Sequence, residues 1–528
     1  MINVWTYLWV FIGMGCIAFV LIRYSKYGLF LSLILMNLLW IEGSYGHDIQ
    51  MISKSVIHLY CPMLLINVIL FGILTKQGNS GTDRRFKAIL KLQSGKLILE
   101  NIRRGISVIG AAGSGKTASV TYGLLQHFKK HQFSGIIHDY KHFEITELAY
   151  PLLKDSGIDF KVICLDTIYS KVNPIAPRYL PNEESVYEVS RVLVENLLEQ
   201  TSDTYKGANH FFKDAAEGLI SGLIWKLKST YPAYCTLPHL IILYQLLDTE
   251  SLVAFLQTNR IATGMAAAFI QGIESEKQTA GVKSTLSNAL KKISSQRLFM
   301  ALSADETPLH LNRLPKPTVL SVVNNPLYEA AYAPVIATIM HTAVKQMSVR
   351  NAAPSFLLME EAPTLRLLNM HRIPATLRSF DIATVYVLQD KVQNDMMYGD
   401  KGSRAILSNL SYQFFGKAND PLTAKYYEQF FEMIKTKTRS VTKSSSLSFE
   451  ARITTGEREI AKNRASTFFS LRQGEFISFA DGKDRKIRFP VPEFDKVKPL
   501  PENVYTAKEL KENYKRIYKE VKGIFQAS

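Results

Sequence analysis

The residues best placed to do chemistry are Gly110, Ala111, Ala112, Gly113, Ser114, Gly115, Lys116 and Thr117, which fit G-x-x-x-x-G-K-[ST] at every position. Glycines at 110, 113 and 115 let the backbone curl so that its N–H groups cradle phosphate oxygens, and the following helix adds positive potential. Lys116 would reach the β- and γ-phosphates, and the Thr117 hydroxyl would ligate Mg²⁺. A chance glycine turn has no use for Lys and Thr at those two places. A second element, Ser355-Phe-Leu-Leu-Met-Glu-Glu-Ala-Pro-Thr364, is an apolar run ending in two acids. Glu360 would hold the Mg²⁺ shell and Glu361 would orient or deprotonate a water attacking the γ-phosphate. Gln389, at the end of the apolar run Ala383–Leu388, is a candidate sensor of that phosphate, against the plainer reading of a strand-end amide. Together these residues specify ATP and Mg²⁺, with Lys116, Glu361 and Gln389 as the catalytic set.

Such residues need a scaffold that brings distant segments to one edge. The chain predicts it: Ile106–Ile109 reads as a strand and 117–130 as a helix, followed by a strand at Ser134–Asp139, a helix at 143–155 and a strand at 160–166. Continuous apolar strands interleaved with helices imply an α/β fold with a parallel sheet covered on both faces. Asp139 and Lys141 close one strand, where they either touch the nucleotide or pair with each other. From 182 to 297 the pattern is helical and reads as an inserted all-α subdomain. Strands resume at 317–323, 355–359, 383–388 and 412–416. The expected division is a membrane anchor at 1–76, a nucleotide-binding domain in two parts at 77–181 and 298–500 around the insert, and a basic tail at 501–528.

Less specific features follow. The cluster Tyr205, Lys206, His210, Phe211, Phe212 and Lys213 reads as a core face beside solvated charge rather than a base-stacking surface. Arg372 and Arg378 are candidates for an arginine finger acting across a subunit boundary, although surface arginines are common. Residues 435–448, basic and rich in Ser and Thr, read as a mobile loop, and 476–489 as a hairpin around Asp481-Gly482. The tail 507–524 reads as a basic, weakly amphipathic helix, solvated rather than docked on a partner.

Composition sets the bounds. With 528 residues there is room for an anchor, a nucleotidase and an accessory domain. Lys+Arg 63 against Asp+Glu 46 gives a net charge of +17, which suits nucleic acid or an anionic membrane surface. The 4 Cys show no metal or disulfide spacing, in keeping with a reducing cytosol. Val4–Ile22 and Val56–Leu74 are uncharged apolar runs long enough to span a bilayer, with the shorter Tyr27–Ile41 between them. Basic residues Arg23, Lys26, Lys76, Arg84, Arg85 and Lys87 follow the first and last runs, which favours three spans with the N-terminus outside and the phosphate loop in the cytoplasm.

In this order the pieces resemble the type IV coupling proteins of conjugation and type IV secretion. The likeness rests on Gly110–Thr117, Asp139-Tyr-Lys141, Asn173-Pro-Ile175, Glu360-Glu-Ala-Pro-Thr-Leu365, Leu388-Gln-Asp390, Ile406-Leu-Ser-Asn409, Phe414-Phe-Gly416 and Asn419-Asp-Pro421. It departs at Glu360, where Asp is usual, and after Lys141, where Gly-Glu usually follows. The resemblance implies a RecA-like P-loop NTPase core, a homo-hexamer, and a multi-pass position in the bacterial inner membrane with the ATPase domain in the cytoplasm. It also implies single-stranded DNA with its relaxase, the relaxosome and a type IV secretion channel as partners. Two other readings stand beside it: a membrane adaptor that binds nucleotide with little hydrolysis, and a double-stranded DNA pump of the cell-division type, for which no winged-helix tail is recognisable.

Overall fold

The computed structural model describes residues 83–198, 208–443, 451–501 and 504–526. The chain divides into two units, Met1–Arg84 and Arg85–Ser528. The expected membrane runs lie outside the described residues, among which no helix is long and apolar enough to cross a membrane.

Runs of Val, Ile, Leu and Phe with apolar residues at both parities build a sheet buried on two faces. After a small antiparallel hairpin, β1 (Ala88–Lys91) with β2 (Lys96–Leu99), come the strands β3 (Ile106–Ile109), β4 (Ser134–Asp139), β5 (Asp159–Cys164), β6 (Thr318–Val323), β7 (Ser355–Met359), β8 (Ile382–Leu388) and β9 (Tyr412–Phe415). All seven are mutually parallel in the order β9-β3-β8-β7-β4-β6-β5. β10 (Met433–Lys443) and β11 (Ala451–Ala461) form a separate antiparallel ribbon, while β12 (Glu475–Ala480) and β13 (Lys483–Arg488) extend the main sheet antiparallel beyond β9. In β8, Val385 and Val387 face the layer that holds the helix Tyr122–Lys130, whereas Tyr386 and Leu388 face the opposite layer. Each aliphatic side chain buried this way contributes about 1.5–3 kcal/mol. Phe128 of that helix stacks on Phe356 of β7 with ring centroids 4.1 Å apart.

Between β5 and β6 the described chain is helical from Glu183 to Ala301, and its first helix, Glu183–Leu197, packs on Glu329–Met347 against the sheet. Asn173 pins this region: its side-chain amide donates to the carbonyl of Cys235 at 2.8 Å, and its own oxygen accepts from Ile175 N. In the basic-aromatic cluster, Lys213 is buried and donates to Glu195 at 2.9 Å, and Phe212 packs against the core. The side chains of the cluster's other members lie outside the described residues.

Two expectations are corrected. Of the segment read as a mobile loop, 435–443 lies in β10, because Ser/Thr-rich sequence without apolar alternation can still pair when its ribbon stands apart from the core, and the remainder lies outside the described residues. The tail helix, Ala507–Gln526, is not solvated all round: it buries Ile517, Val521 and Ile524 against Leu237–Leu246 and Gln296–Ala301. The hairpin at Asp481-Gly482 forms as expected, with both residues at positive φ.

Candidate nucleotide site

Parallel strands put their carboxyl ends, and the loops that leave them, on one edge. Ile109 of β3 is in register with Leu388 of β8, Tyr386 of β8 with Met359 of β7, and Met359 with His138 of β4. Gly110, Gln389, Glu361 and Lys141 therefore leave four adjacent strands at nearly one level.

The loop Gly110–Thr117 is held between neighbours rather than free. Gly110 N donates to Leu388 O at 3.2 Å, Ala111 N to Lys417 O at 2.7 Å, and Gly474 N to Ser114 O at 2.9 Å. Gly115 has φ +88°, and a Cβ there would stand 3.0 Å from Gly474 N; at Gly110 a Cβ would come within 2.8 Å of Ser114 Oγ. The Ser114 hydroxyl is buried without a hydrogen bond. Thr117 opens one π-helical turn through Thr121 that carries no acidic residue, so the positive end of the helix is not neutralised from within. Lys116 is buried and donates to Gly110 O at 2.6 Å. Burial lowers its pKa; Glu361 opposes that shift, and Lys141 adds to it.

Glu361 sits at φ 44°, ψ 51°, a left-handed conformation held by Thr364, whose N–H and hydroxyl both donate to its carbonyl at 2.9 and 2.7 Å. Its Oε1 accepts from Lys141 Nζ at 2.8 Å and Gln389 Nε2 at 3.0 Å. Glu360 is 1 % exposed, and neither of its oxygens has a hydrogen bond. The Lys141 ammonium is 3.4 Å from Glu360 Oε1 but lacks hydrogen-bond geometry, so it acts on Glu360 as a charge. Burial and the neighbouring Asp139 push the Glu360 carboxyl up to about 8. Burial lowers the Lys141 pKa, yet Glu360 and Glu361 outweigh it and hold the ammonium above its ordinary value. Asp139, pushed up to about 6 by burial, accepts at Oδ2 from Thr146 N at 2.7 Å and from its hydroxyl at 2.5 Å. Thus the strand-end ion pair between Asp139 and Lys141 is not formed; Lys141 turns to the two glutamates instead.

Glu361 and Gln389 also border a cavity of about 940 Å³ whose lining includes Tyr140, Glu329, Arg366 and Met396 but none of the phosphate-loop residues. Across it, Arg366 lies 3.5 Å from Glu195, which Lys213 and Arg191 approach to 2.9 and 3.0 Å. Asn196 Nδ2 donates to Arg366 O at 3.0 Å across 170 positions of sequence. Sequence reasoning missed this tie between the acid-bearing loop and the helical region, since no local signal joins residues so far apart. Arg372 and Arg378 are both exposed, between β7 and β8. Asp390 and Asp420, within two of the quoted motifs, cap the helices Lys391–Ser408 and Pro421–Glu428.

This fold has solved counterparts. The bacterial conjugative coupling protein TrwBdeltaN70, unbound, superposes with TM-score 0.61 at 13% identity over 80% of this chain and 92% of its own. The plasmid coupling protein TrwB in complex with a non-hydrolysable GTP analogue gives TM-score 0.59 at 14% identity over 75% and 88%. Its complex with ADP and Mg²⁺ gives 0.58 at 14% over 75% and 87%. No match is found among curated proteins. The model of the type IV secretion-system coupling protein DNA-binding domain matches residues 188–465, more than half of the 528 residues, and the chain accordingly belongs to that family.

Proposed function

We propose that the chain is an ATP-hydrolysing motor of the bacterial inner membrane, multi-pass at its N-terminus and homo-hexameric. It passes the relaxosome, single-stranded DNA with its relaxase, to a type IV secretion channel. The observation that carries this reading is the meeting of Lys116, Glu361, Gln389 and Lys141 at one sheet edge. The domain arrangement proposed with it is an anchor at 1–76, nucleotide-binding parts at 77–181 and 298–500, the helical insert at 182–297 and the tail at 501–528.

The residues present fit ATP and Mg²⁺, the latter found with ADP in a TrwB structure. Ser114 Oγ and both Glu360 oxygens are buried polar atoms without hydrogen bonds, and the loop backbone is already curled. Mg²⁺ usually takes only one or two protein oxygens, which Thr117 and Glu360 would supply. Bound there, the ion would neutralise charge developing on the transferring phosphoryl group. The backbone of Gly110–Thr117 binds phosphate, and Lys116 exchanges its bond to Gly110 O for phosphate oxygens. Glu361 orients water and takes its proton, with Gln389 on the same oxygen registering the change.

The adaptor reading draws on Glu360, a longer acid standing where Asp is usual at the metal position, which would shift the ion and slow turnover. Steady-state phosphate release by the full-length protein separates the two. The motor predicts release that single-stranded DNA stimulates and Lys116→Ala abolishes; release no higher than in that variant under every condition favours the adaptor.

A further inference from the structure

The C-terminal helix Ala507–Gln526 lies beyond the segment matched to the family, yet it is docked on helices inside that segment. Its apolar face is consumed by this docking: Ile517, Val521 and Ile524 are buried, Tyr514 stacks on Phe299 at 5.2 Å, and Phe525 meets Phe255 at 6.0 Å. What remains outward is basic. Lys508, Lys511, Lys515, Lys519 and Lys522 are exposed, with Tyr518 among them.

Of the helix's carboxylates, Glu520 and Glu509 are engaged away from the lysines, while the exposed Glu512 pairs with Lys508 at the start of the stripe. Glu520 pairs with His239 at 3.0 Å and Arg516 at 2.9 Å, Glu509 accepts from Thr506 N at 2.7 Å, and Glu512 lies 3.9 Å from Lys508. Among the described residues no carboxylate lies within 4 Å of Lys511, Lys515 or Lys519, which recur every fourth position along one side. Like charges so spaced destabilise a helix, and a polyanion laid along them relieves that repulsion. At 1.5 Å per residue the stripe from Lys511 to Lys522 is about 17 Å long, about the length of five phosphates of a stacked strand. A lipid surface suits it poorly, because interfacial helices bury an apolar face and this one has already spent its own on the insert.

We propose that this lysine stripe contacts the phosphate backbone of single-stranded DNA, carrying DNA contact onto the C-terminal helix, beyond the segment matched to the DNA-binding domain. The proposal rests on the DNA-handling reading above. Tyr518, whose ring lies 4.9 Å from Lys522 Nζ, adds a flat surface on which a base can stack.

The test uses the full-length protein in zwitterionic nanodiscs, which exclude anionic lipid, and a fluorescein-labelled 30-mer oligothymidylate read by anisotropy from 50 to 300 mM KCl. The variant carries Lys511→Gln, Lys515→Gln, Lys519→Gln and Lys522→Gln. The expected result is a salt slope of log K shallower by about 2 to 3 and affinity at least about ten-fold weaker at 50 mM. Nucleotide affinity and thermal midpoint stay unchanged or the midpoint rises, so misfolding is told apart from lost contact. If wild type and variant bind the oligonucleotide with the same slope and affinity, the stripe is not a DNA contact, while the motor reading stands on its phosphate-release test. If wild type binds no oligonucleotide, both are overturned.

Discussion

Glu361 carries two donors on one oxygen, Lys141 and Gln389, and its backbone is held left-handed by Thr364. A carboxamide oxygen can accept the same two bonds, so Glu361→Gln keeps the acceptor geometry while removing the basicity and the negative charge that faces Lys141 and Lys116. We predict that this variant keeps nucleotide affinity within about two-fold while phosphate release falls by about 10²-fold or more, the usual worth of a general base. Equal losses in affinity and turnover would show Glu361 to be a binding residue instead. At this scale much was legible: the loop Gly110–Thr117 and the acid pair are contiguous motifs, and contiguous motifs report their own geometry. The partner of Lys141 was not, because choosing Glu361 over Asp139 depends on Thr146 occupying the Asp139 carboxylate. Nor could sequence alone reveal that Glu360 is buried without a hydrogen bond.

At the scale of elements, alternating strands and helices announced the parallel sheet, and the boundaries of β3 and β4 coincide with those expected from their apolar runs. The errors came where charge masked pattern. In the C-terminal helix, Leu510, Tyr514, Ile517, Val521 and Ile524 recur at helical spacing, yet the surrounding lysines made it read as solvated. Ile517 is fully buried in the docked face. Ile517→Ala should therefore destabilise the protein by about 2–5 kcal/mol, measured as a lower urea midpoint; an unchanged midpoint would mean the helix detaches in solution. The ribbon of β10 and β11 escaped notice for the opposite reason, since it belongs to no larger sheet and needs no apolar face. The link from Arg366 to Glu195 joins two elements that only tertiary structure brings together.

For the molecule as a whole, buried ionisable groups make stability depend on pH in opposing senses. Burial holds His341 at about 4 despite Glu188 3.7 Å away, with Lys345 also opposing protonation, and holds His127 at about 4 beside Arg85 O and His131. A depressed pKa gives stability that is full above the unfolded value of 6.5 and is lost as pH falls towards 4. Asp139, raised to about 6, acts in reverse, with stability lost as pH rises through that value. Comparing wild type with His341→Gln isolates the imidazole: between pH 6.5 and 4 the wild type should lose about 1.4 kcal/mol more per pH unit than the variant. Parallel curves in urea melts at pH 7 and 5.5 would show His341 to be protonated in the fold. The order of the central sheet also governs when the phosphate loop can exist during synthesis. β3 pairs only with β8 and β9, so its neighbours leave the ribosome about 300 residues after it does. At ordinary elongation rates that is a wait of roughly 15–60 s. Throughout it, a strand destined for the middle of the sheet has no native neighbour, which makes the nascent chain a natural client for holding chaperones.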